Sequence, residues 1–261
     1  MDVESSLTKN EYLEIDCASI YYQLSGNPDG KPLVMLHGGL GSGKDLEPLH
    51  EYLAQDYRLI SIDLRGHGKS SLAGTSLSYA QYQSDIQAVL SHLDITRYSI
   101  FGFSDGGIVG YRLAAQNPEK VISLVTLGSQ WRLEEGDPSI EILSGLTAES
   151  WCEMFPEDVA NYNTSNPKPD FARLVEAVKE LWLDTTELGY PSKLVEDIQC
   201  PTLIMRGDND FLFSLEEAVA LKSKIPNSDF ANIPFTEHAA HQESPLVVGT
   251  MLKQFYCKIK K

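Results

Sequence analysis

Five short apolar runs recur along the chain: "PLVMLHG" at 32–38, "LISIDLRG" at 59–66, "YSIFGF" at 98–103, "VISLVTLG" at 121–128 and "PTLIMRGD" at 201–208. Stretches with helical periodicity, such as "YAQYQSDIQAVLSHL" at 79–93, separate them. Strand, helix and strand in repetition build a parallel sheet with helices on both faces, and such a sheet binds ligands at the carboxyl ends of its strands. The early stretch "LEIDCASIYYQLSG" at 13–26 alternates polar and apolar residues, as a half-exposed antiparallel hairpin at the sheet edge does.

The rhythm breaks between Gln130 and Cys200. "SIEILSGLTAESWCEMF" and "DFARLVEAVKELWLDTTEL" read as helices, and "TSNPKP" reads as a loop. A helical cap over 131–197 is therefore expected, inserted in a core made of 1–130 and 198–261. Fifteen Asp or Glu stand against four Lys or Arg between Glu134 and Asp197. The plain reading is a solvated helical surface; the sharper one is a field that attracts cationic substrates.

The whole chain of 261 residues carries 21 Lys and Arg against 37 Asp and Glu, a formal charge of −16. That balance repels nucleic acid and anionic membrane surfaces. No apolar run spans a bilayer, and the start "MDVESSLTKNEY" is polar and acidic rather than a leader, so a cytoplasmic protein is expected. Cys17, Cys152, Cys200 and Cys257 are scattered, with no zinc or disulfide pattern. Oligomeric state is not legible.

Two stretches carry rival chemistries. "HGGLGSGKD" at 37–45 has the G-x-x-x-x-G-K spacing of a phosphate loop, and Asp63 ends a strand as a magnesium-holding aspartate does. Against that reading, Asp45 stands where a phosphate loop has Ser or Thr, and the base-recognition pattern N-K-x-D is missing. The other stretch is "GFSDGG" at 102–107, a G-x-S-x-G between the strand "YSIF" and the helix "IVGYRLAAQ". That is the layout of a nucleophile elbow, in which glycines permit a tight turn and leave Ser104 exposed above a helix N-terminus.

A serine is nucleophilic only if a histidine takes its proton and an acid orients that histidine. In elbow enzymes the order is Ser, acid, His. Asp210 in "GDND" lies beyond the strand "PTLIM", with Asp208 as its rival; His238 in "PFTEHAAHQESP" precedes the last helix, with His241 as its rival. His238 and His241 lack the i, i+4 spacing of two metal ligands on one helical face.

Taken in order, "HGG", "DLRGHGKS", "GFSDGG", "GDND" and "HAAHQESP" resemble the motif set of the α/β-hydrolase superfamily, from about residue 12 to the C-terminus. The resemblance implies a mostly parallel eight-stranded twisted sheet with helices on both faces and a helical cap. It assigns Asp210 as the acid and, through H-x-x-x-x-E-x-P, His238 as the base. It makes Arg65, His67 and Ser70 scaffold, and it implies an oxyanion hole from the backbone N–H groups of Gly39 and Asp105. No metal or organic cofactor is implied. Glu237 departs from the glycine often found before that histidine.

The elbow is similar to that of the valacyclovir-hydrolase and biphenyl-hydrolase-like group, which implies small amino-acid esters as substrates. Asp105 would then pair with a substrate ammonium; the rival reading is that it caps the following helix. Trp131 and Phe211 are expected to line the pocket with other cap aromatics. The leading function is ester hydrolysis. Carbon–carbon bond hydrolysis or a lyase step with the same triad, and a hydrolase-fold ligand sensor, are the alternatives.

Overall fold

The structure, a computed structural model, describes residues 8–74 and 76–259; most of the polar stretch from which a missing leader was read lies outside them. Eight strands form one sheet: β1 (Lys9–Ile15), β2 (Ala18–Gly26), β3 (Lys31–Leu36), β4 (Tyr57–Ile62), β5 (Tyr98–Phe103), β6 (Val121–Leu127), β7 (Thr202–Gly207) and β8 (Ser228–Ile233). Their order is β1-β2-β4-β3-β5-β6-β7-β8. β1 and β2 form an antiparallel hairpin, β2 runs antiparallel to β4, and all later pairs are parallel. This is the doubly wound sheet that the five apolar runs predict.

The inner parallel strands are mostly apolar because they are covered on both faces, and side-chain alternation divides them between two cores, whereas β8, at the sheet edge, is half-buried and carries Ser228, Asp229 and Asn232. Val34, Leu36, Ile60, Ile62, Ile100, Leu124 and Ile204 pack on one side. Leu33, Met35, Leu59, Phe101, Val125, Leu127, Leu203 and Met205 pack on the other.

Ten helices flank the sheet among the described residues. α1 (His50–Leu53) follows a 3-10 turn at Gly43–Leu49, and α2 (Tyr79–His92) starts where the Ser78 side chain accepts from the Gln81 N–H. α3 (Asp105–Gln116) leaves β5 directly; every residue from Asp105 to Ala115 is buried, so it is a core helix with no solvated face. Between β6 and β7 lie α4 (Ser139–Gly145), α5 (Ala148–Met154), α6 (Pro156–Ser165), α7 (Phe171–Trp182) and a 3-10 turn at Ser192–Asp197. α8 (Leu215–Lys224), α9 (Ala240–Glu243) and α10 (Pro245–Ile259) complete the chain.

The insertion differs from the two-helix reading. Its first stretch is broken at Leu146, where Thr147 caps α5 by accepting from the Ser150 N–H. "PEDVANYNTS" forms α6, with Pro156 in its first turn, where a missing N–H costs nothing. α7 buries Phe171, Leu174, Val175, Val178, Leu181 and Trp182, one stripe at helical spacing, while Glu157, Asp158, Glu176 and Glu180 face solvent. Asn166, at the end of α6, ties the insertion to the core: its amide donates to the carbonyls of Gly68 and Ser70, each at 2.9 Å.

The stretch Asp63–Ser70 is a cross-brace. Asp63 accepts the N–H groups of Gly43 and Lys69, each at 2.8 Å. Ser70 donates to the Asp63 carbonyl at 2.7 Å and accepts the Tyr21 N–H at 2.8 Å. Arg65 reaches under the sheet edge to clamp Asp85 of α2 with two bonds of 2.8 and 2.6 Å, both side chains almost wholly buried. The residues expected to be scaffold thus join β2, β4, α2 and the glycine loop.

No described helix is long and apolar enough to cross a membrane. Removing one partner of a buried ion pair strands the other charge. Asp85→Ala is therefore expected to lower stability by about 3–5 kcal/mol, read as a drop in urea midpoint at unchanged slope; a loss below about 1 kcal/mol would refute the brace.

Candidate active site

The elbow is built by close contact. Any side chain at Gly106 would run into the carbonyls of Leu36 and His37, and one at Gly102 would run into the backbone of Gly106 and Gly107. Only glycine lets the first turn of α3 sit on the end of β3. Between them Ser104 is held at φ +49° and ψ −119°, a conformation that L residues avoid. Its carbonyl accepts the N–H groups of Gly107 and Ile108, which starts α3, while its side chain takes no part in the cap.

The hydroxyl instead meets a base. Ser104 Oγ lies 3.1 Å from His238 Nε2, and His238 Nδ1 lies 3.0 Å from each Asp210 carboxylate oxygen. An Nδ1–H donating to Asp210 leaves Nε2 free to accept the serine proton. Burial works against ionisation of Asp210, yet the hydrogen bond and charge of His238 and the N–H groups of Phe213 and Leu212 hold its carboxyl below the usual range. Gly128, at φ +60°, leaves room for the pair: a side chain there would stand 3.1 Å from both Asp210 and His238.

The rivals fall away on geometry. Asp208 accepts from the Asn232 amide instead. His241 is fully buried, with its ring 4.3 Å from that of Phe103. Glu237 is exposed, and its backbone N–H donates to Glu243 at 2.9 Å, which explains the glutamate five residues after His238.

Arg206 carries a structural role that the sequence reading missed. It donates to the carbonyls of Phe213 at 2.8 Å and Asp210 at 3.2 Å, and to Asn232 at 2.8 Å, so it folds the acid loop. The signal was one charge inside the apolar run "PTLIMRGD", since a buried guanidinium must be paired.

The two expected oxyanion donors lie on adjoining segments. Gly39 follows β3, and Asp105 is the first residue of α3. Among the described residues neither backbone N–H has a protein acceptor.

Asp105 departs from both readings of its side chain. Its carboxylate is 2% exposed and accepts Tyr79 Oη at 3.0 Å and Trp182 Nε1 at 2.9 and 3.0 Å. It does not cap α3, whose N-cap is Ser104, and no free oxygen waits for a substrate ammonium. Burial, opposed by the Trp182 and Tyr79 hydrogen bonds, pushes its carboxyl up to about 6.

Trp131 departs too. Its indole is 3% exposed, with the Arg132 guanidinium over the ring at 4.6 Å and the Lys224 ammonium at 5.6 Å, so it is packed rather than pocket-lining. Phe211 is 58% exposed, with its ring 6.1 Å from that of His238. A cavity of about 630 Å³ opens between the glycine loop and α6, lined among others by Lys44, Asp45, Asp63, Lys69 and Asp158, but neither Ser104 nor His238 borders it.

Comparison with known proteins agrees with this architecture. A family described by its alpha/beta hydrolase fold matches residues 31–146. A probable proline iminopeptidase of Leptolyngbya boryana is 36% identical over 112 residues, 42% of this chain and 35% of the relative. The chain thus spans only about two fifths or less of the first curated relatives it matches. A putative esterase/lipase of Haemophilus influenzae is 23% identical over 95% of this chain and 92% of the relative. Among solved structures, a putative lipase from Acinetobacter baumannii superposes with a TM-score of 0.82 at 19% identity, over 97% of this chain and 92% of that one.

Two outcomes follow from the site. Ser104→Gly relieves the left-handed backbone while Ser104→Ala does not, so the glycine variant is expected to be more stable by about 1 kcal/mol; equal urea midpoints would show that the turn is unstrained. The second concerns acid. Burial lowers His37 to about 4, and His67 and His241 each to about 3, so these rings fold neutral. A depressed folded value is stability present above the unfolded value, and it is lost as pH falls below about 6.5 at roughly 1.4 kcal/mol per pH unit for each group.

Asp105 and Asp45, each raised to about 6 chiefly by burial, have the opposite sign and gain stability as pH falls through 6 towards 4. Asp63 and Asp158 shift in the same direction as these carboxyls and His50 in the same direction as the three rings, all chiefly by burial, but the three rings lose stability over the whole interval below 6.5 whereas Asp105 and Asp45 gain it only below about 6. Net stability measured by urea unfolding should decline from pH 6.5 to 4.5; a flat or rising profile would contradict the burial of the three histidines as neutral rings.

Proposed function

We propose that this chain, whose fold is that of the α/β hydrolases, is a serine hydrolase of small carboxylic esters. The observation that carries the proposal is the continuous relay from Ser104 Oγ to His238 Nε2 at 3.1 Å and from His238 Nδ1 to Asp210 at 3.0 Å, on a strained elbow. A mere tight turn needs none of these partners.

The reaction runs through an acyl-enzyme. Ser104 Oγ bonds to the acyl carbon as His238 takes its proton, and the carbonyl becomes an oxyanion held by the backbone N–H groups of Gly39 and Asp105. The tetrahedral species collapses, and the ester C–O bond breaks as His238 delivers the proton to the leaving alcohol. Water then attacks the acyl-enzyme with His238 as base again, which releases the acid and restores Ser104. Asp210 stays ionised throughout and stabilises the imidazolium. The helical insertion at 131–197 acts as the cap over this centre, and no metal or organic cofactor enters the steps.

Relatives named proline iminopeptidases raise amide cleavage next to a free imino group as a second reading. Such a substrate asks for a carboxylate to receive its cationic amine. Asp105, beside the nucleophile, is already engaged by Trp182 and Tyr79, which favours neutral esters.

The test is labelling and turnover together. A fluorophosphonate should label Ser104 in wild type and not in Ser104→Ala, and 4-nitrophenyl acetate should be hydrolysed with kcat reduced about 10⁴-fold or more by Ser104→Ala or His238→Ala. Folded wild-type protein that neither labels nor cleaves short esters would sink the proposal. Faster cleavage of proline 4-nitroanilide than of any ester in the same panel would move the assignment to the peptidase.

A further inference from the structure

Trp182 is the last residue of α7, yet its indole belongs to the elbow rather than to the insertion. Its Nε1–H donates to Asp105, the residue after Ser104, and its ring lies so close to Gly39 that a Cβ on that glycine would come within 2.6 Å of Trp182 Cζ2. The ring therefore touches both segments that offer oxyanion N–H groups. It is 7% exposed, and the Tyr190 hydroxyl pins its backbone carbonyl at 3.0 Å while Tyr79 shares Asp105 with it. Trp182 is thus held at its indole N–H and at its backbone carbonyl.

Stereochemistry then divides the site. The leaving group must depart past His238 Nε2, which protonates it, so with the oxyanion between Gly39 and Asp105 the acyl substituent points away from His238. The His238 side is open, since Phe211 beside it is 58% exposed. The Trp182 ring lies against Gly39 and Asp105, the two residues whose N–H groups would hold the oxyanion.

Building on the ester-hydrolase reading, we propose that Trp182, latched to Asp105 and laid against Gly39, is the specificity-determining residue of the site and restricts it to esters of short acyl chains with little restriction on the alcohol. The latch depends on acceptance by Asp105, not on its charge. An Asn at 105 keeps the one oxygen that serves both Tyr79 and Trp182; Ala keeps none. Glycine at 39 is required because the ring leaves no room for a side chain.

The experiment measures kcat/KM for 4-nitrophenyl acetate, butyrate and octanoate, for acetates of several alcohols and for a 4-nitrophenyl ester with a free α-amino group, on wild type, Trp182→Ala, Trp182→Phe, Asp105→Asn and Asp105→Ala. Wild type should prefer acetate over octanoate and accept the acetates within a narrow range. Trp182→Ala should raise the octanoate-to-acetate ratio at least about tenfold, since a few methylenes of pocket space are worth that much discrimination. Trp182→Phe, which keeps most of the ring volume, should raise it less. Asp105→Asn should keep the wild-type ratio, and Asp105→Ala should relax it.

A variant that does not fold is recognised by its melt and replaced by Trp182→Phe. Fluorophosphonate labelling of wild-type Ser104 with an equal rate for octanoate and acetate overturns the proposal while leaving the hydrolase reading intact, as does an unchanged ratio in Trp182→Ala. Loss of activity on esters with a free α-amino group alone in Asp105→Asn overturns it in favour of ammonium recognition. Absent labelling and turnover would be the failure of the hydrolase reading itself.

Discussion

The seating of α3 on the end of β3 is the contact on which everything at the site depends. Gly106 meets the carbonyls of Leu36 and His37, and Gly102 meets the backbone that follows Gly106, so a single methyl at either would push the helix off the strand. That contact forces Ser104 into its left-handed conformation and aims its hydroxyl at His238. The same contact brings the Asp105 N–H, at the free end of a helix with partial positive charge, to the neighbourhood of Gly39. Strain of about 1–3 kcal/mol is tolerable because α3 is buried on every side and has no other position to relax into.

The parts of the fold fixed by local chemistry were the parts legible in the sequence. An unbroken apolar run marks a strand covered on two faces, and Asp63, Arg65 and Ser70 were legible as scaffold through their motif, although most of their bonds reach segments 20 or more residues away. Ser104, Asp210 and His238 stand along the chain in the order that the resemblance implies for nucleophile, acid and base. What could not be read were contacts between distant segments. Asp105 looked like a free carboxylate because its partners, Tyr79 and Trp182, lie 26 and 77 residues away. Trp131 looked like a pocket aromatic because nothing in "GSQWRLEE" reveals that Lys224 will cover it. α6 escaped because its hydrophobic stripe is short, with only Val159 and Tyr162 buried.

Electrostatics at the elbow has an internal consistency. A carboxylate next to the proposed oxyanion hole would oppose the charge that such a hole binds, and Asp105 is the residue after Ser104. Two donors, Trp182 and Tyr79, spread its charge, and burial raises its carboxyl towards neutrality. Asp210 has the reverse arrangement, with His238 and two backbone N–H groups favouring the ionised form. Two aspartates near one serine are thus shifted in opposite directions by their surroundings.

The glycine loop after β3 makes the same point about phosphate. Its spacing is that of a nucleotide cradle, and such cradles work by presenting unpaired backbone N–H groups to an anion. Here the Ser42 N–H donates to Asp45 at 2.8 Å, the Gly43 N–H donates to Asp63 at 2.8 Å, and those of Gly41 and Asp45 bond within the loop. Two carboxylates of the protein itself fill the place a phosphate would take. The Gly39 N–H, on the segment that lies against Asp105, has no acceptor among the described residues. A loop whose donors from Gly41 to Gly43 are already committed has no cradle left for a phosphate there, and the same bonds hold the Gly39 segment rigid, as a donor to a transient oxyanion would need to be.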